Sequence, residues 1–378
     1  MLGNLSFINH SKFGIFNFLL LPLSLVFFIV SRIHFWLYKS SFLKVKESKV
    51  PIVVVGNITV GGTGKTPIVI SIVNYFESKN KKVGVVSRIH FWLYKSSFLK
   101  VKKSKVPIVV VGNITVGGTG KTPIVISIVN YFESKNKKVG VVSRGYGGNY
   151  SQEVLEVVSS SNPNECGDEP LLIKQKTQAV VAISKKRAKA VEFLNHQYQP
   201  DIIISDDGLQ HYSMGRHIEI VVIDGMSRLG NGLFLPSGPL RDSKNRLNSV
   251  DFIINNGSSL NGEFSSQLES KSFVNLITGE KKDLDFFKGR KCYAVAGIGK
   301  PKNFFSVIES FEIEVIPKPF PDHYQYEKED LSFDNKYPIL MTSKDCVKCS
   351  QFASDGMWYL DVSATIEPDF YHQLESKL

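Results

Sequence analysis

Lys121 and Thr122 stand at the end of a run rich in glycine, Gly112-Asn113-Ile114-Thr115-Val116-Gly117-Gly118-Thr119-Gly120-Lys121-Thr122-Pro123. A turn of this kind, set between an apolar strand and a helix, points consecutive backbone N–H groups inward. The helix N-terminus adds partial positive charge, so phosphate oxygens are held there. On this pattern Thr115, Val116, Gly117, Gly118, Thr119, Gly120, Lys121 and Thr122 cradle a nucleotide, with Lys121 reaching the β- and γ-phosphates and the Thr122 hydroxyl offered to Mg²⁺. The generic P-loop has a glycine where this chain has Thr115, so the match is to a variant form. A bare strand-to-helix turn needs neither three glycines nor the Lys-Thr pair.

A second group of residues complements the first. The run Pro200-Asp201-Ile202-Ile203-Ile204-Ser205-Asp206-Asp207-Gly208-Leu209-Gln210-His211 is a short apolar strand ending in two carboxylates. At the carboxyl edge of a parallel sheet, Asp206 and Asp207 can hold Mg²⁺ directly or through water. Following a glycine loop, this is the second half of a P-loop pair. Asp168 and Glu169, in Gly167-Asp168-Glu169-Pro170, fall at a loop-to-helix edge, where acidic residues also serve as plain first-turn caps. Phe320-Pro321-Asp322-His323-Tyr324 sets a histidine behind a carboxylate in a proline-bounded loop. Leu235-Pro236-Ser237-Gly238-Pro239-Leu240-Arg241 reads as a rigid loop that sets Arg241 over an anion or leaves it solvated.

The elements that must position these residues emerge from hydrophobic patterning. Residues 108–111 read as a strand, 123–135 as a helix and 139–143 as a second strand, a βαβ start with a right-handed connection. A further strand is expected at 218–224. Beyond residue 250 the chain alternates again, with strands at 252–255, 273–277, 292–296, 313–316, 339–342 and 358–362 and a helix at 303–310. The expected architecture is α/β, a P-loop NTPase-type parallel sheet flanked by helices, with a second, smaller α/β domain. The domains are drawn at 87–248 for the kinase-like core and 249–378 for the C-terminal unit.

At 378 residues and 43% hydrophobic, the chain can bury a core of that size. Its formal charge of +11 would ordinarily point to an anionic polymer or a lipid surface. Much of that excess comes from a tandem repeat. Residues 31–86 recur as residues 87–142, differing at Glu47 against Lys103, and Val-Ser-Arg stands at each joint (30–32, 86–88, 142–144). Near-identity at this length is unlike solenoid repeats, which keep a pattern while drifting in sequence. The first copy supplies an alternative glycine turn, Thr59, Val60, Gly61, Gly62, Thr63, Gly64, Lys65 and Thr66. The second copy runs straight into Arg144-Gly145-Tyr146-Gly147-Gly148, which makes Lys121 the expected working lysine and 31–86 the redundant segment.

Residues 13–30 are an apolar run close to the minimum for spanning a bilayer, followed by Arg32, Lys39, Lys44, Lys46 and Lys49 among Phe35, Trp36 and Tyr38. An N-terminal membrane-associated helix over 1–30 is therefore expected, spanning or interfacial, with the basic side in the cytoplasm. The four cysteines are too few and too scattered for a disulfide framework. Cys346 and Cys349 form a single C-x-x-C, half of a zinc site, and are expected to be reduced and structural.

Taken in order, the glycine turn, Ser143-Arg144-Gly145-Tyr146-Gly147, Gly167-Asp168-Glu169-Pro170, Asp206-Asp207-Gly208-Leu209-Gln210-His211, Gly230-Asn231-Gly232, Leu235-Pro236-x-Gly238-Pro239-Leu240-Arg241, Phe320-x-Asp322-His323 and Thr342-x-Lys344-Asp345 resemble the tetraacyldisaccharide 4′-kinase family of lipid A biosynthesis. The resemblance covers nearly the whole chain, and Thr115 in place of the first P-loop glycine looks like that family's own form. It implies ATP and Mg²⁺ as cofactors and phosphorylation of the 4′-hydroxyl of a lipid A disaccharide precursor. The implied setting is the cytoplasmic face of the inner membrane, with a membrane lipid surface and no nucleic acid as partner. It further implies that Asp168 corresponds to the catalytic base, His323 to its partner, and Asp206 and Asp207 to the Mg²⁺-side carboxylates, with Lys121 on the phosphates.

Two other classes are consistent with the residues alone. A membrane-associated P-loop GTPase or ATPase would use the same turn, and Thr342-x-Lys344-Asp345 superficially matches a guanine-reading motif. A non-catalytic product of the duplication would bind nucleotide at one turn, both or neither.

Overall fold

In a computed structural model of the chain, the described residues are 104–378 apart from 116–118, 212, 233–238, 243 and 258. The first glycine turn (Thr59, Val60, Gly61, Gly62, Thr63, Gly64, Lys65, Thr66) and the apolar run at 13–30 lie outside them, as do Val116, Gly117 and Gly118 of the second turn.

The first half alternates strands and helices: β1 (Ile108–Gly112), α1 (Lys121–Ser134), β2 (Val139–Ser143), β3 (Leu155–Val157), α2 (Pro163–Cys166), α3 (Asp168–Lys176), β4 (Val180–Ile183), α4 (Arg187–Gln197), β5 (Ile202–Asp206) and β6 (Ile218–Asp224). The second half adds β7 (Phe252–Asn256), β8 (Phe264–Asn275), β9 (Lys281–Lys282), β10 (Lys291–Ala296), α5 (Pro301–Glu309), β11 (Glu314–Pro319), β12 (Ile339–Thr342), α6 (Ser343–Cys349), β13 (Met357–Ile366) and α7 (Pro368–Ser376).

All of these strands join one sheet in the order β11-β10-β12-β13-β8-β7-β6-β1-β5-β2-β4-β3, with β9 paired on β8. β1 lies between β5 and β6, parallel to both, and every one of its five residues is buried. That is why Ile108, Val109, Val110 and Val111 form a continuous apolar run instead of an alternating one. Helix α1 covers the sheet with Ile124, Val125, Ile128, Val129 and Phe132, a stripe at helical spacing. Its Ser127 hydroxyl donates to the Ala364 carbonyl of β13 at 2.8 Å, tying the two halves of the sequence together.

The sheet departs from the expected all-parallel form. β3 runs antiparallel to β4, and β8 runs antiparallel to β13 from Ser266 opposite Ile366 to Asn275 opposite Trp358. β8 meets β7 only over 264–266, and β13 meets β12 only over 357–360. Between those ends the pair is a two-stranded ribbon with a register shift between Asp361 and Val362. The sheet is therefore mixed. The N-terminal membrane helix included in the expected fold class falls on residues 1–30, outside the described residues; among the described residues no helix is long and apolar enough to cross a membrane.

The described residues 104–228 and 244–378 belong to one compact unit, and those of 229–243 to a second group. In that second group Gly230 and Gly232 have positive φ, and Gly230 backs onto Pro239.

Candidate active site

The glycine turn leaves the carboxyl end of β1 and delivers Lys121 as the first residue of α1. Asn113 is buried and donates from Nδ2 to the Thr115 carbonyl at 2.6 Å, closing the entry to the turn. Gly120 has φ +77°, and a Cβ there would meet Asn256 Nδ2 at 2.3 Å, so both conformation and space demand glycine. The same Asn256 amide donates to the Thr119 carbonyl at 3.4 Å. Thr119 is buried, and its hydroxyl oxygen has no hydrogen-bond partner among the described residues. Thr122 follows Lys121 in the first turn of α1.

Because β1 and β5 are adjacent and parallel, Val111 is level with Asp206, and the turn and the two aspartates share one edge of the sheet. Lys121 Nζ lies 2.5 Å from Asp207 Oδ1, an ion pair that keeps the ammonium at this edge. Asp206 is buried and accepts from the Ser143 hydroxyl at Oδ2, while its Oδ1 has no hydrogen-bond partner among the described residues. Burial, with Glu169 and Asp207 nearby, holds its carboxyl above the usual range despite Lys121 and Arg187. Gln210 Nε2 donates to the Asn113 carbonyl at 3.2 Å, which fixes this loop against the glycine turn.

Those oxygens suit a hard divalent cation: two adjacent carboxylates, one with a buried acceptor atom unused, and a hydroxyl at Thr122. Among the described residues no group of three or more His, Cys, Asp or Glu could hold a metal by itself. A magnesium ion shared with nucleotide phosphates needs only one or two carboxylates.

On the other side stands Asp168, the first residue of α3. Its predecessor Gly167 has φ +86°, and a Cβ there would come within 2.5 Å of the Tyr146 carbonyl, so the Arg144-Gly145-Tyr146-Gly147 loop packs directly over the helix start. Asp168 is buried; His323 Nδ1 lies 3.2 Å from its Oδ2, and the Glu169 amide donates to its Oδ1 at 3.0 Å. Burial alone would raise the carboxyl, but His323, Lys344 and Lys348 outweigh it and hold Asp168 below the ordinary carboxylate range. The hydrogen bond to Asp168 pushes His323 up, against burial and the Lys344 charge. His323 itself has φ +59°, an uncommon backbone for a non-glycine residue and frequent at working sites. A small cleft lined by Gly147, Gly167, Asp168, His323, Gln325 and Lys348 opens at this dyad.

The loop that carries His323 is moored from behind. Asp345 is fully buried in α6 and accepts from the Gly297 amide, the Tyr326 hydroxyl and the Thr342 hydroxyl at 3.1, 3.1 and 2.7 Å; Lys348 Nζ lies 2.8 Å away. This carboxylate gathers the ends of β10 and β12, the loop and α6 at one point.

The family model described as tetraacyldisaccharide-1-P 4′-kinase (LpxK) matches residues 16–91 and 88–378. The chain belongs to the tetraacyldisaccharide-1-P 4′-kinase family. The two matched segments overlap at the joint of the repeat. A tetraacyldisaccharide 4′-kinase of Ruthia magnifica subsp. Calyptogena magnifica is 56% identical over 294 residues, 78% of this chain and 93% of the relative. One of Hahella chejuensis is 40% identical over 300 residues, 78% of this chain and 89% of the relative. The crystal structure of LpxK from Aquifex aeolicus, described as an "apo" form in complex with ATP, has a TM-score of 0.64 and 26% identity, covering 82% of this chain and 95% of that one.

As a member of the tetraacyldisaccharide-1-P 4′-kinase family, this chain is an ATP-dependent kinase of lipid A biosynthesis, a phosphotransferase with an alcohol group as acceptor. A lipid A precursor and a membrane surface as its partners are consistent with that membership.

The structure thus brings Lys121 together with Asp206 and Asp207, and Asp168 together with His323, across large separations in sequence. Sequence reasoning missed Arg187, which lies in the charged run Ser184-Lys185-Lys186-Arg187 and reads there as solvated. Its side chain is instead buried, donates to the Asp207 carbonyl at 3.3 Å and leaves Nε without a partner among the described residues. Burial lowers its pKa to about 10, partly offset by Asp206 and Asp207, so the cation persists at neutral pH. Lys344 stands in its sequence motif with nothing there to assign it a role; in space it reaches the Asp168–His323 pair.

Proposed function

We propose that Thr115, Val116, Gly117, Gly118, Thr119, Gly120, Lys121 and Thr122 hold the ATP triphosphate, with Lys121 on the β- and γ-phosphates. Thr122, Asp206 and Asp207 would hold Mg²⁺, which when bound neutralises charge on the transferring phosphoryl group. The buried, unpartnered Oδ1 of Asp206 and the unpartnered Thr119 hydroxyl support this, because buried polar atoms without protein partners are where a ligand or ion is expected. Arg187 adds a fixed positive charge behind the aspartates.

Asp168 takes the proton of the acceptor 4′-hydroxyl as its oxygen bonds to the γ-phosphorus and the bond to the ADP oxygen breaks. Phosphoryl transfer asks little covalent chemistry of the protein beyond alignment, charge neutralisation and such a base. His323 orients the carboxylate. The observation that carries this reading is the 3.2 Å contact of His323 Nδ1 with a buried, ionised Asp168 beside an open cleft. Glu169, the next residue, acts by charge on Asp206, which links the base to the metal side.

The acceptor is the 4′-hydroxyl of tetraacyldisaccharide 1-phosphate. Acyl chains keep such a molecule at a bilayer, at about 0.8 kcal/mol per buried CH₂, so the site works at the headgroup level. Since ATP is cytoplasmic, the working surface is the cytoplasmic face of the inner membrane. The test is single-turnover transfer of labelled γ-phosphate to the lipid disaccharide by Asp168→Asn, with ATP affinity measured in parallel. Loss of transfer with ATP binding intact is expected; full transfer would remove Asp168 from the role.

A further inference from the structure

We propose that Lys344 is a positioning residue of this reaction: seated between Glu169 and the Nε2 edge of His323, its ammonium holds the imidazole as the neutral Nδ1–H tautomer, so that Asp168 faces a neutral donor and not an imidazolium that would weaken it as a proton acceptor. The proposal rests on the reading of Asp168 as the base.

Lys344 is the second residue of α6, whose start is fixed by the Thr342 hydroxyl accepting from the Asp345 amide. Its Nζ lies 3.3 Å from Glu169 Oε1, 3.4 Å from His323 Nε2, 3.5 Å from Asp322 Oδ1 and 3.7 Å from Asp168 Oδ2. Burial opposes the charge on this side chain, but Glu169, Asp168 and Asp322 more than offset it, and the pKa is raised. Lys344 is therefore an ammonium throughout the working pH range.

An ammonium has three donors and no acceptor. Were Nε2 protonated, two donors would face one another at 3.4 Å, with like charge in the case of an imidazolium. Nε2 is left as the acceptor, and the one ring proton of the neutral imidazole then sits on Nδ1, aimed at Asp168 Oδ2 3.2 Å away. The other groups facing the dyad act consistently. Lys348, from the same helix as Lys344, adds positive charge near Asp168, and Tyr146 presents its ring to the imidazole at a centroid distance of 5.0 Å. Asp322 and Asp168 favour the imidazolium, and Lys344 is the charge set against them.

These contacts divide the labour. When the attacking hydroxyl gives up its proton, that proton goes to a carboxylate oxygen of Asp168. Nδ1 already carries hydrogen, so His323 does not take the proton onward. It keeps the carboxylate aimed, and Lys344 keeps the histidine in the form that can do so.

The test begins on the unmodified full chain: ¹⁵N shifts of the histidine ring nitrogens, assigned by difference against His323→Asn, should show Nδ1 protonated and Nε2 bare near pH 8. Lys344→Met should lower kcat/KM by about tenfold near pH 7, with the deficit shrinking as the pH is raised and His323 loses its extra proton. Lys344→Arg should keep the acid limb in place. A merely structural lysine would lower activity equally at every pH, and that result, or a ring protonated at Nε2, overturns the proposal. If Lys344→Met does not fold, judged by melting and ATP titration, the ring shifts of the unmodified chain decide alone. Full transfer by Asp168→Asn sinks the base reading itself; an inactive Asp168→Asn beside a Lys344→Met profile of unchanged shape sinks only the role of Lys344.

Discussion

The two sides of the site are built in opposite ways. The side proposed to hold nucleotide is specified by one contiguous stretch between β1 and α1, with two aspartates placed level with it by a parallel strand pair. The side proposed to meet the acceptor is made of side chains from three places: Asp168 and Glu169 at the start of α3, His323 in a loop, and Lys344 in α6. A backbone cradle is specified by a few contiguous residues and tolerates change around it. A side-chain cluster depends on every element that aims it, which is why a buried hub such as Asp345 stands behind the histidine loop.

The sharpest break in that comparison is Asp168→Asn, which should cost about 10³-fold in kcat while leaving ATP affinity nearly unchanged. On the nucleotide side, Lys121→Ala should cost about 10²-fold and weaken ATP binding as well, while Lys65→Ala in the first copy should change neither. Equal losses from the two lysines, measured in the same transfer assay, would mean that both turns work. Gly120→Ala meets both a positive φ and the Asn256 amide, so it should cost about 1–2 kcal/mol in stability and lower ATP affinity, read by melting and titration.

The Asp168–His323 contact has a pH signature. The lowered Asp168 adds stability above its unfolded pKa, lost as pH falls through the folded value. The raised His323 adds stability below its unfolded pKa, lost as pH rises through the folded value. The melting difference between the parent and His323→Asn should therefore peak between about pH 4 and 6.5 and shrink on both sides. The smallest effect expected is at Lys176, at the far end of α3, which pairs with Asp361 at 2.8 Å beside the register shift in β13. Lys176→Met should cost at most about 1 kcal/mol in stability, seen as a small drop in melting temperature, with kcat little changed.

Legibility divides along the same line. The strands at 139–143, 218–224 and 339–342 are readable in the sequence with their true bounds, and β1 and α1 nearly so, because buried parallel strands and an amphipathic helix leave apolar periods in the sequence. β8, expected at 273–277, instead runs Phe264–Asn275. Its middle part, Gln267-Leu268-Glu269-Ser270-Lys271, belongs to the two-stranded ribbon, much of it open to solvent, so no apolar run announces it. The antiparallel direction of β13 against β8 is likewise invisible in the sequence, since pairing direction leaves no local mark. Asp168 and His323 are found through family resemblance; alone, one reads as a helix cap and the other as a surface histidine. Arg187 and Lys344 sit in polar stretches, where burial is decided by what folds over them.

β1 occupies a slot with a neighbour on each side, and the chain carries the sequence of that strand twice. Seen from β5 and β6, residues 52–56 and 108–112 are indistinguishable, so the seat itself offers no preference between them. The degeneracy is lifted downstream: the later copy passes at once into Arg144, whereas the earlier one would have to loop out a whole repeat. Selection between them is thus a matter of chain connectivity, and refolding should show two populations that merge into one when residues 31–86 are removed.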